Sequence, residues 1–194
     1  MSKILKGGLI AVISIIFAYV AIGMVVNPVW KVSRAVVISA PAEAIFPLIA
    51  NLSRWEEWST WNQRELPDLQ MRYEGPTSGQ GASSRWMFKG ATGFTTITLA
   101  AGNEIAYHVS AMPNSFYAEG TIKLLTVADG TRVEWSYGGD MGTNPLFKAW
   151  MLGYIHFVKS GFEVSLQRLK TICEAPLGLS SQGLSGSPPM PNKS

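Results

Sequence analysis

The chain has 194 residues, with 16 Lys and Arg against 13 Asp and Glu, so its formal net charge is +3. All the excess positive charge lies around one apolar segment, because the sequence after Arg34 has 12 basic and 13 acidic residues. A domain with that balance offers no positive surface to a polyanion, which argues against nucleic acid as a partner. The single cysteine, Cys173, excludes an intrachain disulfide.

Residues 7–30 contain no charged side chain. A helix rises about 1.5 Å per residue, so about 20 apolar residues cross a hydrocarbon core about 30 Å thick. Trp30 occupies the position expected of an interfacial anchor. We therefore predict a retained transmembrane anchor over residues 1–30. A cleaved signal peptide has a shorter apolar region and a small-residue cleavage site, which residues 24–26 do not provide, and a buried core helix is the other alternative.

The basic residues on either side of this segment bear on its orientation. Lys3, Lys6 and the terminal amine precede it, and Lys31 and Arg34 follow it. The positive-inside rule then places the N-terminus in the cytoplasm and the domain on the outer, periplasmic face. The same basic flanks suit anionic lipid headgroups.

The next segment predicts one strand and two short helices. Residues 32–39 are rich in β-branched side chains and predict a strand. Residues 40–43, with a proline and then a glutamate, predict the start of a short helix, which Pro47 distorts. Residues 51–61 predict a second short helical segment.

From about residue 69 the apolar residues alternate with a period of two, which is typical of strands. Asp129-Gly130 between two such runs is a strong hairpin signal, and the other separations are also short, so all neighbours are predicted antiparallel. The predicted strands are residues 69–73, 82–88, 93–100, 105–112, 116–127 and 131–138.

A long helix closes the domain. Asn144-Pro145 predicts its start, and apolar residues in steps of three and four continue it to about Glu174. Residues 175–194 are rich in Ser, Gly and Pro and predict a disordered tail. The fold class is therefore α+β, with one transmembrane helix, then a domain over residues 31–174 in which a curved seven-stranded antiparallel sheet grips the long helix.

Several segments together resemble a known family. They are VISAPAEAIFPLIANLSRWEEWSTW (residues 37–61), the turn at 73–76 followed by residues 79–82, the run at 130–135, and the terminal helix. The sequence over about residues 32–174 resembles the START-like (SRPBCC) superfamily, in its polyketide cyclase/dehydrase branch of helix-grip proteins. The resemblance implies an internal apolar cavity for a hydrophobic small molecule. It implies no particular chemistry, since the superfamily includes lipid carriers, hormone receptors and cyclases.

The aromatic and methionine side chains on the predicted inner faces are the candidate ligand-binding residues. Large aromatic rings dominate packing energetics, and methionine repacks around varied ligands. For each of them, ordinary core packing is the alternative role. The candidates are Trp55, Trp58, Trp86, Tyr107, Phe116, Trp135, Phe147, Met151 and Tyr154.

The sequence offers little for catalysis or metal binding. The two histidines, His108 and His156, are predicted to face solvent, so no zinc ligand set forms. No G-x-S-x-G motif is present, and the nearest acid/base groups are inward tyrosines, with Glu74 or Arg85 at the cavity mouth. We predict no cofactor, no metal and no identifiable catalytic residues.

The leading functional hypothesis is a membrane-anchored domain that binds a hydrophobic small molecule or lipid non-covalently between the sheet and the terminal helix. One alternative is a polyketide cyclase/dehydratase-type enzyme acting on a hydrophobic substrate. The other is a protein–protein interaction module with a solidly packed core.

Overall fold

The computed structural model describes residues 3–111 and 116–175. The order of its elements matches the α+β prediction, and every strand pair is antiparallel. The helices are α1 (Lys3–Val25), α2 (Ala42–Ile49), a 3-10 turn (Leu52–Arg54), α3 (Trp55–Trp58) and α4 (Pro145–Glu174). The strands are β1 (Val29–Ile38), β2 (Gln70–Glu74), β3 (Ser83–Phe88), β4 (Ala91–Ala101), β5 (Glu104–Ala111), β6 (Phe116–Val127) and β7 (Gly130–Asp140).

The seven strands form one curved sheet in the order β1-β7-β6-β5-β4-β3-β2. Inward residues alternate with outward ones, so α4 and the α2–α3 segment cover the concave face. This arrangement confirms the predicted helix-grip fold. The predicted turn at 113–114 and the tail from residue 176 onward lie outside the described residues.

The first strand corrects the prediction for Trp30. β1 begins at Val29, and Trp30 pairs with Gly139 of β7 rather than ending the apolar helix. The Trp30 side chain is only 6% exposed, and its ring meets that of Tyr137 at 5.3 Å. The interfacial role predicted for Trp30 is therefore wrong, because strand pairing starts soon after α1 ends and turns the indole into the core.

The N-terminal helix stands apart from the core over most of its length. Its segment Lys6–Val25 has a mean hydropathy of 2.6 and is the one helix among the described residues that is long and apolar enough to cross a membrane. Almost all of this segment is exposed. A buried core helix, one alternative for this segment, is therefore excluded.

The last turn of α1 is fixed to the first turns of α4. A Cβ on Gly23 would overlap the backbone carbonyl of Pro145, so only glycine permits this approach. The buried Lys148 ammonium donates a hydrogen bond to the carbonyl oxygen of Val26 at 2.9 Å. Carbonyls at a helix C-terminus lack intrahelical partners and carry partial negative charge, which a cation stabilises.

Two indoles close the end of α2. Trp55 Nε1 donates to the carbonyl oxygen of Ile49 at 2.8 Å, and Trp58 Nε1 donates to that of Leu48 at 3.2 Å. The last carbonyls of a helix need such outside partners. These bonds fix α3 over the concave face of the sheet.

Two inner aromatic rings lie flat on glycines of the neighbouring strand. The ring of Trp86 (β3) covers Gly93 (β4), and the ring of Tyr107 (β5) covers Gly120 (β6), so a Cβ at either glycine would overlap the ring. Glycine in a strand often marks such a close approach. Because the rings lie against the sheet, they leave room above it.

The long helix is held against the sheet by an aromatic stack. The rings of Trp135 (β7) and Phe162 (α4) lie 3.7 Å apart at their centroids, with an angle of 11° between their planes. Beyond Phe162, Leu166 and Leu169 are buried, and Ser165 Oγ accepts a hydrogen bond from the Thr60 backbone N–H at 2.9 Å. The half of α4 after Phe162 is thus solidly packed.

We expect Gly120→Ala to lower the free energy of unfolding by about 1–3 kcal/mol, the usual cost of overpacking, since the new methyl group displaces the Tyr107 ring. A Cβ on Gly153 of α4 meets no atom within 4 Å. The control Gly153→Ala should therefore stabilise the protein by up to about 1 kcal/mol through helix propensity. Chemical unfolding of the full chain in detergent, followed by near-UV circular dichroism, measures both. Equal effects of the two substitutions would contradict the ring-on-glycine packing.

Candidate ligand cavity

A cavity of about 210 Å³ lies between the concave face of the sheet, the segment that follows α2, and α4. It occupies the region beside the first half of α4, next to the Trp135–Phe162 stack. Its described lining is aromatic and aliphatic, with a few hydroxyl groups: Leu52, Trp55, Ser59, Thr60, Trp61, Met71, Ser84, Trp86, Thr95, Tyr107, Val109, Ala111, Phe116, Trp135, Tyr137, Trp150, Tyr154, Phe157, Val158, Gly161 and Phe162.

Most of the aromatic residues predicted from the sequence lie on this cavity. They are Trp55, Trp86, Tyr107, Phe116, Trp135 and Tyr154. The rings pack edge to face, as in the contact between Trp55 and Tyr107 at 5.1 Å, which holds the wall in one arrangement. Their contact with a ligand stays a prediction.

The structure places three predicted residues away from the cavity. Trp58 and Met151 are fully buried in the core, and Phe147 is half-buried against Trp150, with ring centroids 5.7 Å apart. The Trp58 indole packs against the rings of both Trp55 and Trp135, with centroid distances of 5.3 Å and 5.2 Å. The spacing of apolar residues along a helix shows that they face the interior. It does not show which of them pack in the solid core and which line the cavity.

Several lining residues were missed as site residues. On α4 the residues Trp150, Tyr154, Phe157 and Gly161 repeat at steps of four, three and four, so they form one stripe along the cavity. That spacing was present in the sequence. Trp150 and Phe157 are about half exposed, at 52% and 50%, and mark where the cavity reaches the surface.

Three tyrosine hydroxyls lie together at the cavity wall. Trp135 Nε1 donates to the Tyr107 hydroxyl oxygen at 2.8 Å, and the hydroxyls of Tyr137 and Tyr154 are 3.5 Å apart. Burial raises the pKa of Tyr107, and it raises the pKa values of Tyr137 and Tyr154 as well. The three groups therefore stay protonated and neutral at physiological pH, as hydrogen-bond donors rather than bases.

A second polar spot lies on the sheet itself. Ser84 (β3) and Thr95 (β4) are paired across neighbouring strands, are 2% and 9% exposed, and both line the cavity. Hydroxyl groups at such positions give an apolar pocket a few fixed hydrogen-bonding points.

Charged side chains are absent from the described lining of the cavity. Arg85 and Glu74, predicted at its mouth, instead form an ion pair at 3.5 Å on the outer face, where Arg85 also lies over the Phe94 ring. His156 is exposed, as predicted, whereas His108 is half-buried and stacks on Tyr117. Among residues 3–111 and 116–175, no three His, Cys, Asp or Glu side chains are grouped as a metal site would require.

Comparison with solved structures shows where this fold recurs. The Aha1 dimer protein of Colwellia psychrerythraea is 18% identical, with a TM-score of 0.56 over 77% of this chain and 99% of that one. Protein CV1439 of Chromobacterium violaceum is 14% identical, with a TM-score of 0.54 over 75% and 99%. Protein SA2116 of Staphylococcus aureus is 13% identical, with a TM-score of 0.56 over 76% and 95%. At these identities the likeness establishes the fold alone.

Comparison with curated proteins gives no match. The model of one protein family, described as polyketide cyclase/dehydrase and lipid transport, matches residues 29–174, from the first residue of β1 to the last of α4. The chain thus belongs to the polyketide cyclase/dehydrase and lipid transport family, within the START-like superfamily that its sequence resembles.

Proposed function

We propose that this protein is anchored in a membrane by α1 and binds a neutral hydrophobic small molecule or lipid, without covalent chemistry, in the cavity beside α4. The observation that carries the proposal is the cavity itself, about 210 Å³ of space with an aromatic wall and no charged group in its described lining.

The lining determines what kind of ligand fits. A charged group entering this space would lose its hydration without gaining an ionic partner, which costs several kcal/mol or more. A neutral ligand gains instead from the burial of its apolar surface, at about 25 cal/mol per Å². The Tyr107 hydroxyl accepts from Trp135 and keeps its own hydrogen, so it would donate to a carbonyl, ester or alcohol oxygen on that ligand. Of Tyr137 and Tyr154, the hydroxyl that accepts from the other would be a second donor.

The volume limits how much of the ligand is enclosed. Sites for drug-sized molecules typically measure about 300–1,000 Å³, and this cavity is smaller. It therefore suits a small ligand, or one end of a longer one such as an isoprenoid or acyl chain. The opening beside Trp150 and Phe157 leaves the rest of a long chain free to extend outward.

The anchor raises the local concentration of a membrane-derived ligand. Tethering a binding site to the surface that holds its ligand raises the effective concentration of that ligand at the site. The almost fully exposed apolar surface of Lys6–Val25 is the observation that supports membrane anchoring.

Filling the cavity should weaken ligand binding. Val109 lines the cavity from β5, and Val109→Trp places an indole in the space that the ligand would occupy. The matched control is Leu125→Trp, at a position of β6 that is 44% exposed. We expect Val109→Trp to weaken uptake of 1-aminoanthracene and of NBD-labelled farnesol by the full chain in detergent about tenfold or more, a loss of about 1.4 kcal/mol.

Uptake is measured by the rise in probe fluorescence, and Leu125→Trp should leave it at the wild-type level. Because both variants see the same micelles, their difference removes the probe that partitions into detergent. Equal uptake by the two variants, or none by the unaltered protein, would contradict ligand binding in this cavity.

Binding of a neutral probe should not depend on pH. No group that titrates between about pH 6 and 9 belongs to the described lining, and burial moves the pKa values of Tyr107, Tyr137 and Tyr154 further above that range. The dissociation constant of NBD-labelled farnesol, measured across this range, is expected to stay constant within about twofold. A titration midpoint inside the range would show an ionisable group at the binding site.

A further inference from the structure

We infer that the start of α4, from Pro145 to Phe157, lies in the interfacial layer of the same lipid leaflet as the C-terminal end of α1, so that the cavity opens into lipid. This rests on the proposed function in one respect, that α1 spans a bilayer. It adds a second membrane contact, made by the domain itself, and a route for the ligand.

The depth of α4 follows from its contact with α1. Gly23 lies within the apolar segment Lys6–Val25 and touches the backbone of Pro145, the first residue of α4. A span of 20 residues covers about 30 Å, so Gly23 lies only about 3 Å from the end of the span. Pro145 is therefore held at the boundary between hydrocarbon and headgroups whenever α1 crosses the bilayer.

The two segments that meet at this contact carry almost no charge, and the exposed charged residues Lys31 and Asp140 flank them. Residues 24–30 and 141–155 are joined by a hydrogen bond from the Met141 backbone N–H to the Pro28 carbonyl oxygen at 2.8 Å. Across both segments the only charged side chain is Lys148. Its ammonium is buried on the Val26 carbonyl, so it leaves the surface apolar. Exposed polar groups resume on α4 at His156 and Lys159, where an interfacial helix would face the headgroups.

The exposed polar side chains of these segments are small and uncharged, at Asn27, Thr143 and Asn144. The large exposed side chains are all apolar, and they are Met24, Val25, Val29, Leu146, Trp150 and Leu152, each between 42% and 85% exposed. Exposed apolar residues scattered singly need no explanation, whereas a contiguous patch marks an interaction surface. This patch continues the apolar surface of α1, with exposed Asp140 beside Val29 at its edge. The lipid that covers α1 is the occupant that this continuity indicates.

The cavity mouth lies on the same side of α4. Trp150 belongs to the patch, and both Trp150 and Phe157 line the cavity while remaining half exposed. Tryptophan favours the membrane interface because its ring is amphipathic. A hydrophobic ligand would then pass between leaflet and cavity past these two rings, without crossing water.

Depth-dependent quenching tests this contact in the full chain. Cys173 is the only cysteine, so Cys173→Ser gives a background in which single cysteines carry an NBD label. The test positions are Leu146→Cys and Phe157→Cys. The positive control is Ile22→Cys near the end of α1, and the negative control is Gln167→Cys, which is exposed on the distal half of α4. The proteins are reconstituted into vesicles of equal parts phosphatidylcholine and phosphatidylglycerol, with lipid spin-labelled near the headgroup end of the acyl chain.

We expect the labels at Leu146 and Phe157 to be quenched to within about twofold of the label at Ile22, and several times more than the label at Gln167. Quenching at Ile22 alone, with both test positions equal to Gln167, overturns the inference and leaves the anchor and the cavity standing. Labels at the test positions that are blue-shifted but not quenched show the patch covered by protein, which also overturns it. No quenching at Ile22 refutes the anchor and the inference together, while probe uptake in detergent reports on the cavity independently.

Discussion

The stack of Trp135 on Phe162 is the contact on which the site depends. It fixes the distance between the sheet and α4 at one level of the fold, with ring centroids 3.7 Å apart. On one side of it Leu166 and Leu169 fill the interior, and on the other side the same two elements enclose the cavity. Because protein interiors are close-packed, such a space persists only where rigid neighbours hold it open. Here the rigid neighbours are aromatic rings. Trp86 and Tyr107 lie against glycines of the adjacent strands, and the indole N–H groups of Trp55 and Trp135 are held by hydrogen bonds.

Much of the fold was predictable because its elements are long and regular. β6 and α4 have the predicted bounds, since each carries a clear apolar period between strong turn or capping signals. The interfacial role predicted for Trp30 was wrong because no charged residue marks the boundary between α1 and β1. The uncharged stretch runs from α1 into β1 without a break, so only the pairing of Trp30 with Gly139 shows where the helix has ended and the sheet begins.

The candidate site was predictable in part. Period two identifies which face of β7 holds Trp135, but it does not show that Tyr107 lies over Gly120 of the next strand, because that contact depends on strand register. Trp58 and Met151 have the spacing of cavity residues and are core residues instead. Phe157, in contrast, was not predicted as a site residue but lines the cavity. Its half-exposed ring marks the cavity mouth, which only the three-dimensional arrangement reveals.

The pocket is apolar, with no charged side chain in its described lining, and its open side and α1 share one apolar surface. We propose that this pocket holds a neutral hydrophobic molecule. Native mass spectrometry of the full chain, extracted gently from the membranes of the cells that produce it, tests this most directly. We expect a species carrying one non-covalent, chloroform-soluble and uncharged adduct per chain, released on collisional activation. Recovery of the bare chain alone, still without adduct after incubation with a total lipid extract, would contradict it.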